Sequence, residues 1–199
     1  MLNTYEKRAK YITLFLTVFL LAFLGLYFFN SPKTPSFYYT GFFVQKTDAG
    51  YRTEVFIDNK GPYYINTIYS PKDSEAIPID FNSRDSLIKN RKNIYIALDP
   101  YDTNLTGTTT QAALELNNII EPLFNIRVSS AFIKEKDNYT VKTCPTENKE
   151  ESVILLRLGN EAKVLKEGNC VILQGKEQLD ILKEADAIIF SLLEIRKQA

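Results

Sequence analysis

A run of nineteen residues without a charged side chain, Tyr11 to Phe29, constrains this chain more than any other feature. As an α-helix the run would be about 28 Å long, close to the roughly 30 Å hydrocarbon core of a bilayer. It has no polar face, so a helix buried in a globular core is a poor alternative. Prolines at positions 32 and 35 follow it. We therefore expect a transmembrane anchor at residues 11–29 and a linker at residues 30–36.

A cleaved signal peptide is the main alternative to an anchor. The apolar part of such a peptide is usually about 7–15 residues long and precedes small residues at the cleavage site. Here the run is longer, and it ends in the bulky residues Leu26 to Phe29. These features favour an uncleaved signal-anchor.

The flanking charges predict the orientation of the anchor. Lys7, Arg8 and Lys10 precede it, whereas only Lys33 and Lys46 lie in a comparable stretch after it. Because Lys and Arg are enriched on the cytoplasmic side, residues 1–10 should form a cytoplasmic leader. We expect a single-pass protein of the cell membrane, which contacts lipid through residues 11–29 and carries an extracytoplasmic domain at residues 37–199.

Composition excludes several classes of function. The sequence contains no His, which removes Ser-His-Asp and Cys-His catalysis and every His-ligated metal site. Lys and Arg together number 24, as do Asp and Glu, so the basic face that nucleic-acid binding requires is not indicated. The glycine-rich motifs that hold nucleotides are also missing. We expect no cofactor and no bound metal.

Periodicity in residues 37–199 predicts a mixed-sheet α/β (α+β) domain. It should contain an antiparallel β-meander, one strand–helix–strand (βαβ) unit, a C-terminal β-rich segment and a closing helix. A capping box of Thr108 and Gln111 is expected to begin the central helix. The predicted strands are 37–45, 51–58, 63–69, 93–98, 126–133, 139–144, 153–158, 162–166 and 170–174, with a short extended piece at 77–80 and helices at 83–89, from about 108 to 124, and 176–196.

The polar loop from Asp99 to Thr110 is the candidate for a ligand or catalytic site. It lies between a strand and a helix, where ligands of parallel sheets bind, and the helix N-terminus could receive an anion. Asp99 and Asp102 are the weak catalytic candidates that it offers. The alternative is that Asp, Asn, Thr and Gly only satisfy the turn and the helix cap.

Three further motifs have both a functional and a structural interpretation. Asn104 and Asn138 each begin an N-x-T sequence, so they are candidate glycosylation sites on the extracytoplasmic side. Ser86 and Lys89 match S-x-x-K of Ser/Lys hydrolases, although the companion motifs are absent and the pattern arises readily on an amphipathic helix.

The two cysteines, Cys144 and Cys170, are expected to form a disulfide, because thiols outside the cytoplasm are oxidised. Two separate buried thiols are the alternative, and a metal site lacks a second pair of ligands.

Aromatic residues are concentrated after the linker, and they offer a surface for a protein partner or a sugar. Ordinary strand composition and contact with the membrane interface are the alternatives. The aromatic cluster comprises Phe37, Tyr38, Tyr39, Phe42, Phe43, Tyr63, Tyr64 and Tyr69.

We expect a membrane-anchored, extracytoplasmic binding or assembly module without catalytic machinery, whose partner is another protein or a second copy. A hydrolase or small-ligand binder using the Asp99–Thr110 loop is the alternative.

Overall fold

The computed structural model describes residues 2–29, 35–57, 60–80, 82–145 and 148–196, with the side chains of the first helix described for residues 9–24. These residues form four helices and two β-sheets, which confirms a mixed α/β fold. The chain divides into two compact units, Met1–Pro35 and Ser36–Ala199.

Helix α1 spans Leu2–Phe29 and contains the predicted anchor sequence. The hydroxyls of Thr13 and Thr17 donate to the carbonyl oxygens of Ala9 and Thr13, at 3.0 and 2.8 Å. A hydrogen bond from a side-chain hydroxyl to a carbonyl one turn earlier satisfies that hydroxyl inside a helix. Within the part of the chain that the structure describes, no helix combines the length and the apolarity that crossing a membrane requires, and a membrane span at residues 11–29 stays a prediction. Most of the predicted linker, residues 30–34, lies outside the described residues.

The first sheet is an antiparallel meander in the order β1-β2-β3-β4. Alternation along β3 gives it one buried face, because Thr53 and Val55 point inward while Arg52 and Phe56 are exposed. Its strands are β1 (Ser36–Tyr39), β2 (Phe42–Thr47), β3 (Gly50–Ile57) and β4 (Lys60–Thr67).

The single strand predicted for residues 37–45 is wrong, since the chain reverses in the middle of it. Thr40 and Gly41 both have positive φ angles, 47° and 96°, and they connect β1 to β2 as a two-residue hairpin loop. Glycine adopts such angles without steric cost, and two positive φ values are the hairpin geometry that matches strand twist.

The second sheet has the order β6-β5-β7-β9-β8 and is mostly parallel. Strands β5, β6, β7 and β9 run parallel, and only β8 pairs antiparallel, with β9. The meander is therefore a separate sheet and does not extend this one, because β5 is already paired on both sides. The strands are β5 (Asn93–Leu98), β6 (Arg127–Phe132), β7 (Glu151–Leu158), β8 (Lys163–Glu167) and β9 (Cys170–Gly175).

Helix α3 (Gly107–Phe124) connects β5 to the parallel strand β6, which confirms the βαβ unit. Helix α4 (Gln178–Leu192) closes the domain and is buried along most of its length. It begins with a capping box of Glu177 and Asp180, in which each side chain accepts a bond from the other residue's backbone. A short helix, α2 (Ser83–Ile88), precedes β5.

Two further predicted elements differ from the structure. Residues 139–144 were expected to form a strand, but only Val141 makes a bridge, with Phe132 at the end of β6. The predicted piece at 77–80 is likewise reduced to one bridge, between Ile79 and Val164.

The core lies mainly between the parallel sheet and helices α3 and α4. A smaller apolar cluster on the opposite face of that sheet contains Ala97, Ala131, Val153 and Cys170. Cys170 forms a disulfide with Cys144, with 5.7 Å between their Cα atoms. The predicted disulfide is confirmed, and it ties the irregular segment after β6 to this second face.

Candidate functional site

Asp99 is held by contacts within its own loop and with the segment after β6. One carboxylate oxygen accepts the backbone N–H of Tyr101 at 3.0 Å, and the other accepts the Nζ of Lys134 at 2.5 Å. The Lys134 hydrogen bond and then the Tyr101 N–H lower the pKa of Asp99. Asp99 is therefore an ionised turn residue with a fixed partner, which does not suit a general acid.

Asp102 has a similar structural role. Its Oδ1 accepts the backbone N–H and the side-chain amide of Asn104, at 3.0 and 3.1 Å. This is the Asx turn that short polar side chains form with the backbone two residues on. The described contacts do not make Asp99 and Asp102 converge on a common ligand position, which favours the turn interpretation of the loop.

The N-terminus of α3 is occupied by a side chain from α4. The Oε1 of Gln178 accepts the N–H and the hydroxyl of Thr106, at 2.9 and 2.8 Å, and the hydroxyl of Thr109 at 3.3 Å. Thr106 is the N-cap residue, and its own side chain makes no capping hydrogen bond to the helix. The predicted capping box of Thr108 and Gln111 is therefore wrong. A residue 72 positions away supplies the acceptor, and sequence spacing could not reveal it.

The S-x-x-K motif is not assembled as a nucleophile and base. The Ser86 hydroxyl donates to the carbonyl oxygen of Asn82, at 3.1 Å, within its own helix. Lys89 is the residue that ends α2, in an extended conformation. The hydroxyl is thus used in a helical back-bond.

The predicted aromatic cluster is divided between the two faces of the meander. Phe37 lies opposite buried Val44, and Tyr39 opposite Phe42, so these aromatic residues belong to the inward face. Tyr69 follows β4 and packs against the core. About half of the cluster is thus ordinary core composition.

The outward face of the meander carries exposed aromatic rings, one of which lies beside a guanidinium. Tyr38 is 75% exposed and its ring lies 5.5 Å from that of Phe43. Tyr64 is 58% exposed, with the guanidinium of Arg52 5.9 Å from its ring centre. Phe56, an apolar residue on the outward side of β3, is 62% exposed. We call Tyr38, Phe43, Arg52, Phe56 and Tyr64 the aromatic face.

A buried carboxyl pair, which no sequence pattern predicted, connects α3 to α4. Asp186 is fully buried, and its Oδ2 accepts the backbone N–H of Tyr69 at 2.7 Å. Its Oδ1 and the Oε2 of Glu115 have no donor among the described groups, and the two carboxyls interact directly. Burial, more than any other cause, raises the pKa of both groups. A proton shared between the two oxygens satisfies both acceptors, as in other close carboxyl pairs.

Glu184, two residues before Asp186 on the same helix, is a third buried acid. Neither of its carboxyl oxygens has a close hydrogen-bond donor within the described residues, and the backbone of Lys163 only slightly offsets the effect of burial on its pKa. Burial raises its pKa to about 9, with a smaller contribution from Asp180. Glu184 and Asp186 occupy positions expected to be polar on a helix surface, so periodicity alone gave no sign of their burial.

Both predicted glycosylation sequences lie at the surface. The side chains of Asn104 and Asn138 are exposed. Accessibility is a requirement for modification, and their use stays a prediction.

Comparisons with known proteins identify no relative: no family model, no curated protein and no solved structure matches the chain.

Proposed function

We propose that residues 36–199 form a non-catalytic binding module that recognises another protein through the aromatic face. The observation that carries this proposal is the exposure of Tyr38, Phe56 and Tyr64 on one side of a four-stranded sheet. Tyr, Phe and Arg are enriched at protein interfaces. The aromatic rings combine a large contact area with few rotatable bonds, and the guanidinium supplies several hydrogen-bond donors. A hydrolase is less well supported, since Asp99 and Asp102 serve their own turns.

Membrane attachment through residues 11–29 is the second part of the proposal. It is supported by the charge-free sequence and by the basic residues that precede it. It would place the binding module outside the cytoplasm, where the Cys144–Cys170 disulfide is stable. Retention of the protein in carbonate-washed membranes, with an intact mass that includes residues 1–30, tests this part. A mature chain that starts near residue 30 would contradict it.

The aromatic face is tested by cross-linking in intact cells of the source organism. The double variant Tyr38→Ser/Tyr64→Ser should lose the neighbouring protein that the wild type captures, because two anchors of the contact surface are removed. Tyr101→Ser is the matched control, since Tyr101 is 61% exposed on another part of the domain. Equal capture by the double variant and the wild type, with unchanged melting temperatures, would refute the assignment of this face.

A further inference from the structure

Strand β6 is an edge of the parallel sheet, and part of its hydrogen-bonding capacity faces outward. Arg127 and Ile133 direct their N–H groups inward, to Lys92 and Leu98. Alternate residues of a strand direct their backbone groups to the same side, so Val128, Ser130 and Phe132 face the open side. Phe132 shows this directly, because its N–H donates to Thr140 at 2.9 Å and its carbonyl accepts from Lys142 at 2.8 Å.

The segment from Thr140 to Lys142 therefore already uses one end of this edge. Its bridge to Phe132 is parallel, so it takes the position of the C-terminal end of a further strand, whose preceding residues would lie beside Ser130 and Val128. Among the described residues, no strand lies beside Val128 and Ser130. These two residues leave two N–H and two C=O groups available for the continuation of that pairing.

An apolar groove of about 300 Å³ lies beside the same edge, between β6 and α3. The helix contributes Thr110, Ala113, Leu114 and Asn117, which share one stripe because they are three or four residues apart. Leu114 is 55% exposed. The sheet contributes Ile96, Leu98, Val128 and Phe132 to the groove wall.

We propose that the edge of β6 and this groove bind an extended peptide, which adds a strand to the sheet and inserts one apolar side chain beside Ala113. The edge supplies backbone hydrogen bonds, while the groove supplies selectivity for an aliphatic or aromatic residue, as strand addition generally does. Phe132 is already paired with Thr140 and Lys142, so the open part of the edge runs from Val128 to Ser130, is about 7 Å long, and pairs with a short peptide segment. The open N–H and C=O groups of the edge match the backbone of an extended peptide. The pairing of Thr140–Lys142 with Phe132 shows that the edge accepts a strand. This is a second surface, distinct from the aromatic face of the meander.

Selection from a phage-displayed library of random heptapeptides on the purified full chain tests the inference. Enriched peptides should share one apolar anchor flanked by residues with high strand propensity. The affinity of one enriched synthetic peptide, labelled with a fluorophore, is then measured for each variant by fluorescence anisotropy.

Two variants address the two parts of the site. Ser130→Pro removes one outward N–H at an edge position, where proline is tolerated, and should weaken binding at least tenfold. Ser130→Ala keeps that N–H and should bind like the wild type. Ala113→Phe fills the groove and should abolish binding, whereas Asn118→Phe, on an exposed part of α3 outside the groove, should not.

Hydrogen exchange supplies a readout that does not depend on the variants. The amides of Val128 and Ser130 should exchange more slowly when the peptide is bound. Three results would overturn the inference: no enriched peptide, binding that is insensitive to both Ser130→Pro and Ala113→Phe in folded protein, or a dimer that Ser130→Pro dissociates, which would assign the edge to a second copy. None of these results bears on the aromatic face, which is tested separately by Tyr38→Ser/Tyr64→Ser.

Discussion

The carboxyl group of Asp186 on α4 lies buried against that of Glu115 on α3, and it also accepts the backbone N–H of Tyr69. Through this contact one side chain connects both helices with the segment that leaves the meander. Because two carboxylates cannot share such a site without a proton, we expect the folded protein to hold a proton there that the unfolded chain releases at neutral pH.

The pH dependence of stability tests this proton. The pKa of Asp186 is raised on folding, so the folded state binds more protons than the unfolded state between pH 5 and 8. The free energy of unfolding should therefore fall as the pH rises, by at most about 1.4 kcal/mol per pH unit for each proton taken up. In Asp186→Asn the side-chain amide donates to Glu115, and position 186 no longer titrates. The pH dependence of the free energy of unfolding, measured by urea unfolding, should become shallower by about one proton.

Glu121→Gln is the control for this experiment, because Glu121 is exposed on α3. It should leave the slope unchanged. Equal slopes for the wild type and Asp186→Asn would show that the pair does not hold the proton.

Glu184→Met should stabilise the domain at pH 8. The pKa of Glu184 is raised to about 9 by burial, so folding at pH 8 requires uptake of a proton and buries two oxygens without good partners. Removing an unsatisfied buried polar group is worth roughly 1–3 kcal/mol. The gain should shrink at pH 5, where less free energy is needed to protonate the acid. A variant that is less stable than the wild type at pH 8 would indicate that the contact with the backbone of Lys163 outweighs the cost of burying the acid.

Asp99→Asn and Asp102→Asn should both preserve function. Each carboxylate accepts backbone bonds in its own turn, and losing such a bond costs about 1 kcal/mol at most. A complementation assay in cells, beside a thermal melt of each variant, gives the two readouts. Lost function at an unchanged melting temperature would instead support the hydrolase or ligand-binding alternative, since the chain has no His to replace the acid.

Replacing both cysteines by alanine should lower the free energy of unfolding by roughly 3.5 kcal/mol. The disulfide closes a sequence separation of 26 residues, and this figure follows from the loss of chain entropy in the unfolded state. Urea unfolding of Cys144→Ala/Cys170→Ala measures the change. Mass spectrometry of an unreduced digest should show the linked peptides, and free thiols in protein from its native membrane would contradict the pairing.

The sequence predicted those elements whose periodicity reflects simple two-sided burial. Strand β5 was predicted with its observed bounds, and α3 with nearly its observed length. The hairpin loop at Thr40-Gly41 was missed because aromatic residues on both sides read as one continuous strand. The segment at 139–144 was predicted too long, since strand-like composition does not ensure pairing along a whole segment, and this one meets the edge of β6 only at Val141.

The contacts that decide the candidate site were less predictable. The position of Gln178 against Thr106 and the burial of Asp186 against Glu115 both depend on how α3 and α4 pack together. Such contacts join residues about 70 positions apart, and neither side chain belongs to a recognisable motif. A single sequence could therefore identify the loop but not the side chain that occupies its end.

The amide of Gln178 has a consequence for how this fold could change. At the C-terminal edge of a parallel sheet, where a helix N-terminus would otherwise be available to a ligand, the chain supplies an acceptor of its own. Shortening that one side chain would uncover a backbone N–H and two threonine hydroxyls without disturbing a strand. One side chain of α4 therefore decides whether the start of α3 is closed by the protein itself or open to solvent.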